Sequence, residues 1–288
     1  MIAWPTPLIE EIARRRAILF LGSGVSKQST GVGGKRPPLW NEFLEAGVAR
    51  CAQAKQAREV RSFIKAGELL MACELLKEAL GNGWGPLIDD EFVNPHYQPS
   101  RIHDLIFKLD VRLVVTQNFD KIYDTLAAAQ SQGTVVVKSY SEDDAATFIR
   151  KRQRVVLKAH GSIDSPNEMV FTRGDYARAR HAHAGFYALL DGLILTHTCL
   201  FIGCGLNDPD ISMMLERAVQ LHPSTFPHYI AMGTTASAQV LKAYRRTLNL
   251  EVLPYRSTDN HVALTEALEQ LVGLVESRRD GLAASRDW

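Results

Sequence analysis

What the chain lacks narrows its class first. Its 288 residues hold only four cysteines, at 51, 73, 199 and 204, and no two of them stand as CxxC. A structural zinc ribbon needs thiolates paired at that spacing, so no zinc and no other bound metal is expected. Cys199 and Cys204 flank an apolar run and read as buried thiols of a reducing compartment. No apolar run reaches the ~20 residues of a membrane span. Residues 1–16 lack a basic start followed by a long apolar stretch, so no secretory signal is read there. A cytoplasmic protein without a membrane partner is expected. An excess of one charge is missing as well. The 33 Lys and Arg balance 32 Asp and Glu, a net charge of +1, which supports no broad nucleic-acid-binding face. Basic residues do cluster at Arg14–Arg16, Arg150–Arg154 and Arg173–Arg180, and these read as solvated helix faces or loops.

What is present suits a globular protein with a sizeable core: 46% hydrophobic and 23% charged residues. Leu8–Arg16 reads as a short amphipathic helix. Ala17–Leu21 is a compact apolar run closed by Gly22, the pattern of a strand buried on both faces of a parallel sheet. Residues 28–38 form a Gly- and Pro-rich loop. From Leu39 to about Asp90 the pattern is helical with no convincing strand. Beyond it, strands are predicted over Arg112–Thr116, Thr134–Lys138, Val155–Lys158, Cys199–Ile202, Tyr229–Met232 and Glu251–Pro254. Helices are predicted between them and over Val262–Glu276. Repeated β-α units predict an α/β fold: a doubly wound, Rossmann-like parallel sheet with a helical insertion. The expected organisation is one domain over 1–277, including an insertion at about 39–100, and a weakly ordered tail over 278–288.

In such sheets ligands sit outside the carboxyl ends of the strands. Four groups of residues follow predicted strands. The first is Gly22-Ser23-Gly24-Val25-Ser26. Its small residues suit close approach of the backbone to a pyrophosphate, and equally a tight strand–helix turn with no ligand. The second is Thr116-Gln117-Asn118-Phe119-Asp120. Consecutive polar side chains at a strand end are costly to bury without partners. Asn118 and Asp120 suit ribose hydroxyls and an oriented water, while Asp120 also suits a helix cap. The third, Lys158-Ala159-His160-Gly161, offers a histidine able to act as general base, or a structural one. The fourth is Gly203-Cys204-Gly205-Leu206-Asn207-Asp208 before Pro209. Gly203 and Gly205 permit a second close backbone approach, suited to the adenosine half of a dinucleotide. Asp208 reads as a helix cap.

In order and rough spacing, these groups resemble the sirtuin family over about residues 15–255. Gly22–Ser26 is similar to that family's GAGxS phosphate loop. Thr116–Asp120 is similar to its TQNxD segment, and His160-Gly161 to its catalytic HG pair. Gly203–Asp208 occupies the place of its late nucleotide loop. The departures are equally specific. The four-cysteine zinc module of the deacylases is missing, and Pro37-Pro38-Leu39-Trp40-Asn41-Glu42-Phe43 stands where they carry a GIPDFR-like segment. Both the fourth group and Phe171-Thr172-Arg173-Gly174-Asp175-Tyr176 look like the zinc-free branch found in bacterial antiphage defence.

The resemblance implies an NAD hydrolase that splits nicotinamide from ribose, with NAD as substrate. Asn118, His160 and Asp120 would be catalytic. Gly22, Ser23, Gly24, Ser26, Thr116, Gln117, Gly203, Gly205 and Asn207 would bind the dinucleotide. It also implies homo-oligomerisation and a separate activating partner, such as a translocase-type ATPase or a short Argonaute. The alternatives are an NAD-dependent protein deacylase, or a non-catalytic module that senses NAD or ADP-ribose and regulates a partner.

Overall fold

A computed structural model describes residues 2–206, 208–223, 226–233 and 236–287. Strands β1 (Ala17–Leu21), β2 (Leu113–Thr116), β3 (Val136–Ser139), β4 (Val155–Lys158), β5 (Thr198–Ile202), β6 (His228–Met232) and β7 (Leu250–Pro254) build one sheet in the order β3-β4-β2-β1-β5-β6-β7. Every pairing is parallel. β1, β2 and β4 are buried along their whole length, which explains their unbroken apolar runs.

Alternate side chains feed two cores. Leu19, Leu21, Val114, Val156, Leu200 and Ile202 face the helices Thr6–Ala13, Arg101–Lys108 and Thr258–Ser285. Ile18, Phe20, Leu113, Val115, Leu157 and Phe201 face the helices Arg173–Ala182, Ala184–Thr196 and Pro209–Leu221. This is the Rossmann-like α/β fold that the β-α alternation predicts. Among the described residues no helix is long and apolar enough to cross a membrane.

Between β1 and β2 the chain makes a helical layer, with helices at Trp40–Val48, Ala54–Ala66, Leu69–Leu80 and Trp84–Ile88. The layer has its own core around Phe43, Leu44, Val60, Cys73, Leu76 and Leu87, and that core takes in Phe119, Met169 and Phe171 from the loops after β2 and β4. The Phe119 and Phe171 rings stack with centroids 4.1 Å apart. The layer is thereby joined to the carboxyl end of the sheet.

The last helix, Thr258–Ser285, runs past the predicted Glu276. Leu282 is buried, and Arg279 donates to the carbonyls of Ile12, Ala13 and Leu109. These long-range contacts hold the extra turns.

Two buried histidines make the fold sensitive to acid. The Nδ1 of His228 accepts the Cys199 N–H at 3.1 Å, and that of His103 accepts the Ser100 N–H at 3.2 Å, so both rings are neutral. Burial pushes each pKa down to about 4. Between pH 6.5 and 4 the unfolded chain therefore binds protons that the folded chain refuses. The stabilisation is complete above pH 6.5 and is lost as pH falls toward 4, on the order of 3 kcal/mol per histidine. His228→Asn keeps an acceptor for Cys199 but does not titrate in this range. Its thermal midpoint is expected to fall less steeply than that of the parent chain between pH 7 and 4.5, and parallel curves would refute the assignment.

Candidate active site at the carboxyl edge of the sheet

Register sets the site. Leu21 is level with Thr116 and Ile202, and Thr116 with Lys158. β1, β2, β4 and β5 therefore end in one row, and whatever follows them emerges at one edge. β1 has β2 on one side and β5 on the other, so this edge lies where the strand order reverses. A cavity of about 710 Å³ opens there, within the usual range for a small-molecule site. Gly22, Ser23, Gly24, Ser26, Gln117, Asn118, Asp120, His160, Gly203 and Gly205 all line it. Thr116 does not; it is buried beneath, where its hydroxyl donates to the Leu21 carbonyl and accepts the Asn118 N–H. Asn207 lies outside the described residues.

The first two groups are tied into one unit. Asn118 Nδ2 donates to the Gly22 carbonyl at 3.0 Å and to Ser26 Oγ at 2.9 Å. Ser26 Oγ donates onward to Asp120 Oδ2 at 2.7 Å, and Asp120 Oδ1 accepts the Ile122 N–H. A backbone carbonyl only accepts, so the orientation of the Asn118 amide is fixed and its Oδ1 is what remains for a ligand. Below them Lys158 Nζ donates to the Asp120 carbonyl at 2.6 Å and pairs with Asp124 at 2.8 Å. Burial pushes the Asp124 carboxyl up, against the opposing pull of Lys158.

The glycines of the first and fourth groups answer to each other before they answer to any ligand. A Cβ on Gly22 would sit 2.4 Å from the Gly203 carbonyl oxygen, and Gly203 has φ +65°. The Gly24 N–H also donates to that carbonyl. The two turns touch backbone to backbone, with no room for a side chain. Gly22→Ala is expected to cost about 1–3 kcal/mol through forced separation of the two turns. A thermal midpoint equal to that of the parent would show that the turns yield freely.

His160 is held from behind. Its carbonyl accepts the Val170 N–H, and Gly161 follows at φ +83°, turning the chain back along residues 168–170. The ring meets Tyr176 edge-on, with centroids 5.0 Å apart. Nε2 is 3.8 Å from Asp208 Oδ2 and 3.7 Å from Asp210 Oδ2. Asp208 does cap the Pro209–Leu221 helix, with Oδ1 accepting the N–H groups of Asp210 and Ile211, and its Oδ2 takes the Tyr176 hydroxyl at 2.6 Å. Asp210 pairs with Arg180 through Oδ1. Burial pushes the Cys204 thiol up to about 12, so it is no thiolate nucleophile.

Sequence reasoning missed two contributions. The helical layer supplies cavity wall from Pro37–Phe43 and Gly67–Met71. Asp210 and Arg180 meet behind His160. The second aspartate of Asp208-Pro209-Asp210 was a signal, but its arginine lies 30 residues upstream on another helix.

A SIR2-like domain matches residues 112–253. Defense-associated sirtuin 2 of Bacillus subtilis is 30% identical over 228 residues, 76% of this chain and 21% of the relative. Over residues 112–253 the chain carries a SIR2-like domain. NAD(+) hydrolase ThsA of Enterococcus faecium is 27% identical to this chain over 229 residues, 77% of the chain and 44% of the relative. NAD(+) hydrolase ThsA of Bacillus cereus (strain MSX-D12) is 27% identical over 212 residues, 72% of the chain and 41% of the relative. The chain thus spans less than half the length of these curated relatives.

Proposed function

We propose that the chain hydrolyses NAD at the nicotinamide–ribose bond, giving nicotinamide and ADP-ribose, as an effector of bacterial antiphage defence. One observation carries the reading: Asn118 and His160 stand on the wall of one cavity with the glycine turn after β1. The names of the relatives support the choice of NAD hydrolysis over deacylation.

In this reading the C–N bond breaks first. Its electron pair leaves with nicotinamide, which departs neutral, and positive charge develops on the ribose. Asn118 Oδ1 accepts from a water or a ribose hydroxyl and holds it against the developing cation. His160 accepts the proton that is lost as the water oxygen bonds to the ribose. Asp120 acts through Ser26 and Asn118, since both of its oxygens already hold the loop. Ser23, Gly24 and Ser26 serve the phosphates, and Gly203 and Gly205 the adenosine. No zinc enters the scheme.

The reading places the chain in the cytoplasm, where its four thiols stay reduced. Activity is held off until self-association or a separate partner, such as a translocase-type ATPase or a short Argonaute, releases it. The test is incubation with NAD, alone, with the genomic neighbour and with an acyl-lysine peptide, followed by product identification. Nicotinamide and ADP-ribose formed without peptide support the proposal. NAD loss that requires the peptide would make the chain a deacylase, and binding without turnover in the full complex would make it a sensor.

A further inference from the structure

Among the buried polar atoms without a hydrogen bond behind His160, two face each other. His160 and Asp210 are each 3% exposed, and neither His160 Nε2 nor Asp210 Oδ2 makes a hydrogen bond. They lie 3.7 Å apart. One such orphan is costly; two of complementary character are satisfied by one proton between them and a small closure.

The surrounding charges favour a proton there over a metal ion. Asp208 and Asp210 bring two negative charges, and Arg180 returns one positive charge on Asp210. The set carries one net negative charge while His160 is neutral, and it is balanced when the imidazole takes up a second proton in the reaction. The Tyr176 hydroxyl is pushed up by burial and then by Asp208, and the Tyr187 hydroxyl by burial and then by Asp210, so both stay protonated. Cys204 stays a thiol. The other oxygens of the two aspartates are already taken by Arg180 and by the helix N–H groups.

We propose that Asp210 is a positioning residue for His160. It holds the proton on Nε2, so that Nδ1 turns its lone pair to the cavity. When Nδ1 takes a proton from water or a ribose hydroxyl, Asp210 stays ionised and neutralises the imidazolium. The inference rests on His160 being the general base. It explains why the imidazole nitrogen nearest the carboxylates is sealed from solvent while the residue itself lines the cavity.

The direct test reads the tautomer in the parent chain. ¹⁵N NMR of the histidine-labelled chain, with the His160 signals assigned by their loss in His160→Ala, should show the Nε2–H tautomer. An Nδ1–H tautomer would overturn the proposal. Asp210→Asn keeps an acceptor for Arg180 but turns N–H donors toward Nε2. It should move His160 to the Nδ1–H tautomer and slow NAD hydrolysis by about 10²-fold or more, with KM little changed. In the His160→Ala background the same substitution should change the rate by less than about twofold, because the two residues act as a unit. Additive losses would reduce Asp210 to a structural role. An unchanged rate in folded His160→Ala would remove the general base instead, and the tautomer measurement would still report on Asp210.

Discussion

His160→Ala is expected to fold normally and to lose NAD-hydrolysing activity by about 10²–10⁴-fold, the contribution of a positioned general base. The fold should survive because the structural bond at this position is made by the backbone carbonyl with Val170, and among the described residues the ring's aromatic partner is Tyr176. Removing the imidazole opens space beside Asp208 and Asp210 that water can enter. The rate should suffer because among the described residues no second base stands in line: Asp208 is committed to its cap and to Tyr176, and Asp210 does not line the cavity. Chromatography of the nicotinamide released, together with a melting curve for each protein, separates lost chemistry from lost structure. Parent-like turnover in a folded variant would remove His160 from the reaction.

Asn118→Ala is expected to cost about 10²–10³-fold in turnover, comparable to the loss of one preorganised polar contact at a reacting centre. Two effects combine. The Oδ1 acceptor disappears, and the hydrogen bonds to Gly22 and Ser26 go with it. Asn118→Asp separates them: it restores an acceptor but cannot donate to the Gly22 carbonyl, and it adds a charge to a unit that already contains Asp120. That variant should remain far below the parent. If it recovers full activity, the acceptor alone matters and the tie to the glycine turn does not.

How much of this could be read in advance depended on burial. β1 and β4 coincide with their predicted bounds because each is a short apolar run buried on both faces. β3, at the sheet edge and only partly buried, is shifted by up to two residues from its predicted range. The Arg173–Ala182 helix buries only Asp175, Tyr176 and Ala179, so its sequence reads as a basic surface and carries little apolar periodicity. The site's outline was readable because polar residues immediately after buried strands must gather at one edge. Its wiring was not. That Ser26 would join Asn118 to Asp120, and that Arg180 would reach Asp210, are pairings across 92, 94 and 30 positions that no local pattern encodes.

Phe119 sits between Asn118 and Asp120, yet its ring belongs to the core of the helical layer, stacked on Phe171. Any slide or tilt of the layer as a body would press on that loop through the packed Phe119 ring. Grip on the helices from outside would be felt at the amide of Asn118 through the Phe119 ring, like a clutch plate bearing on a shaft.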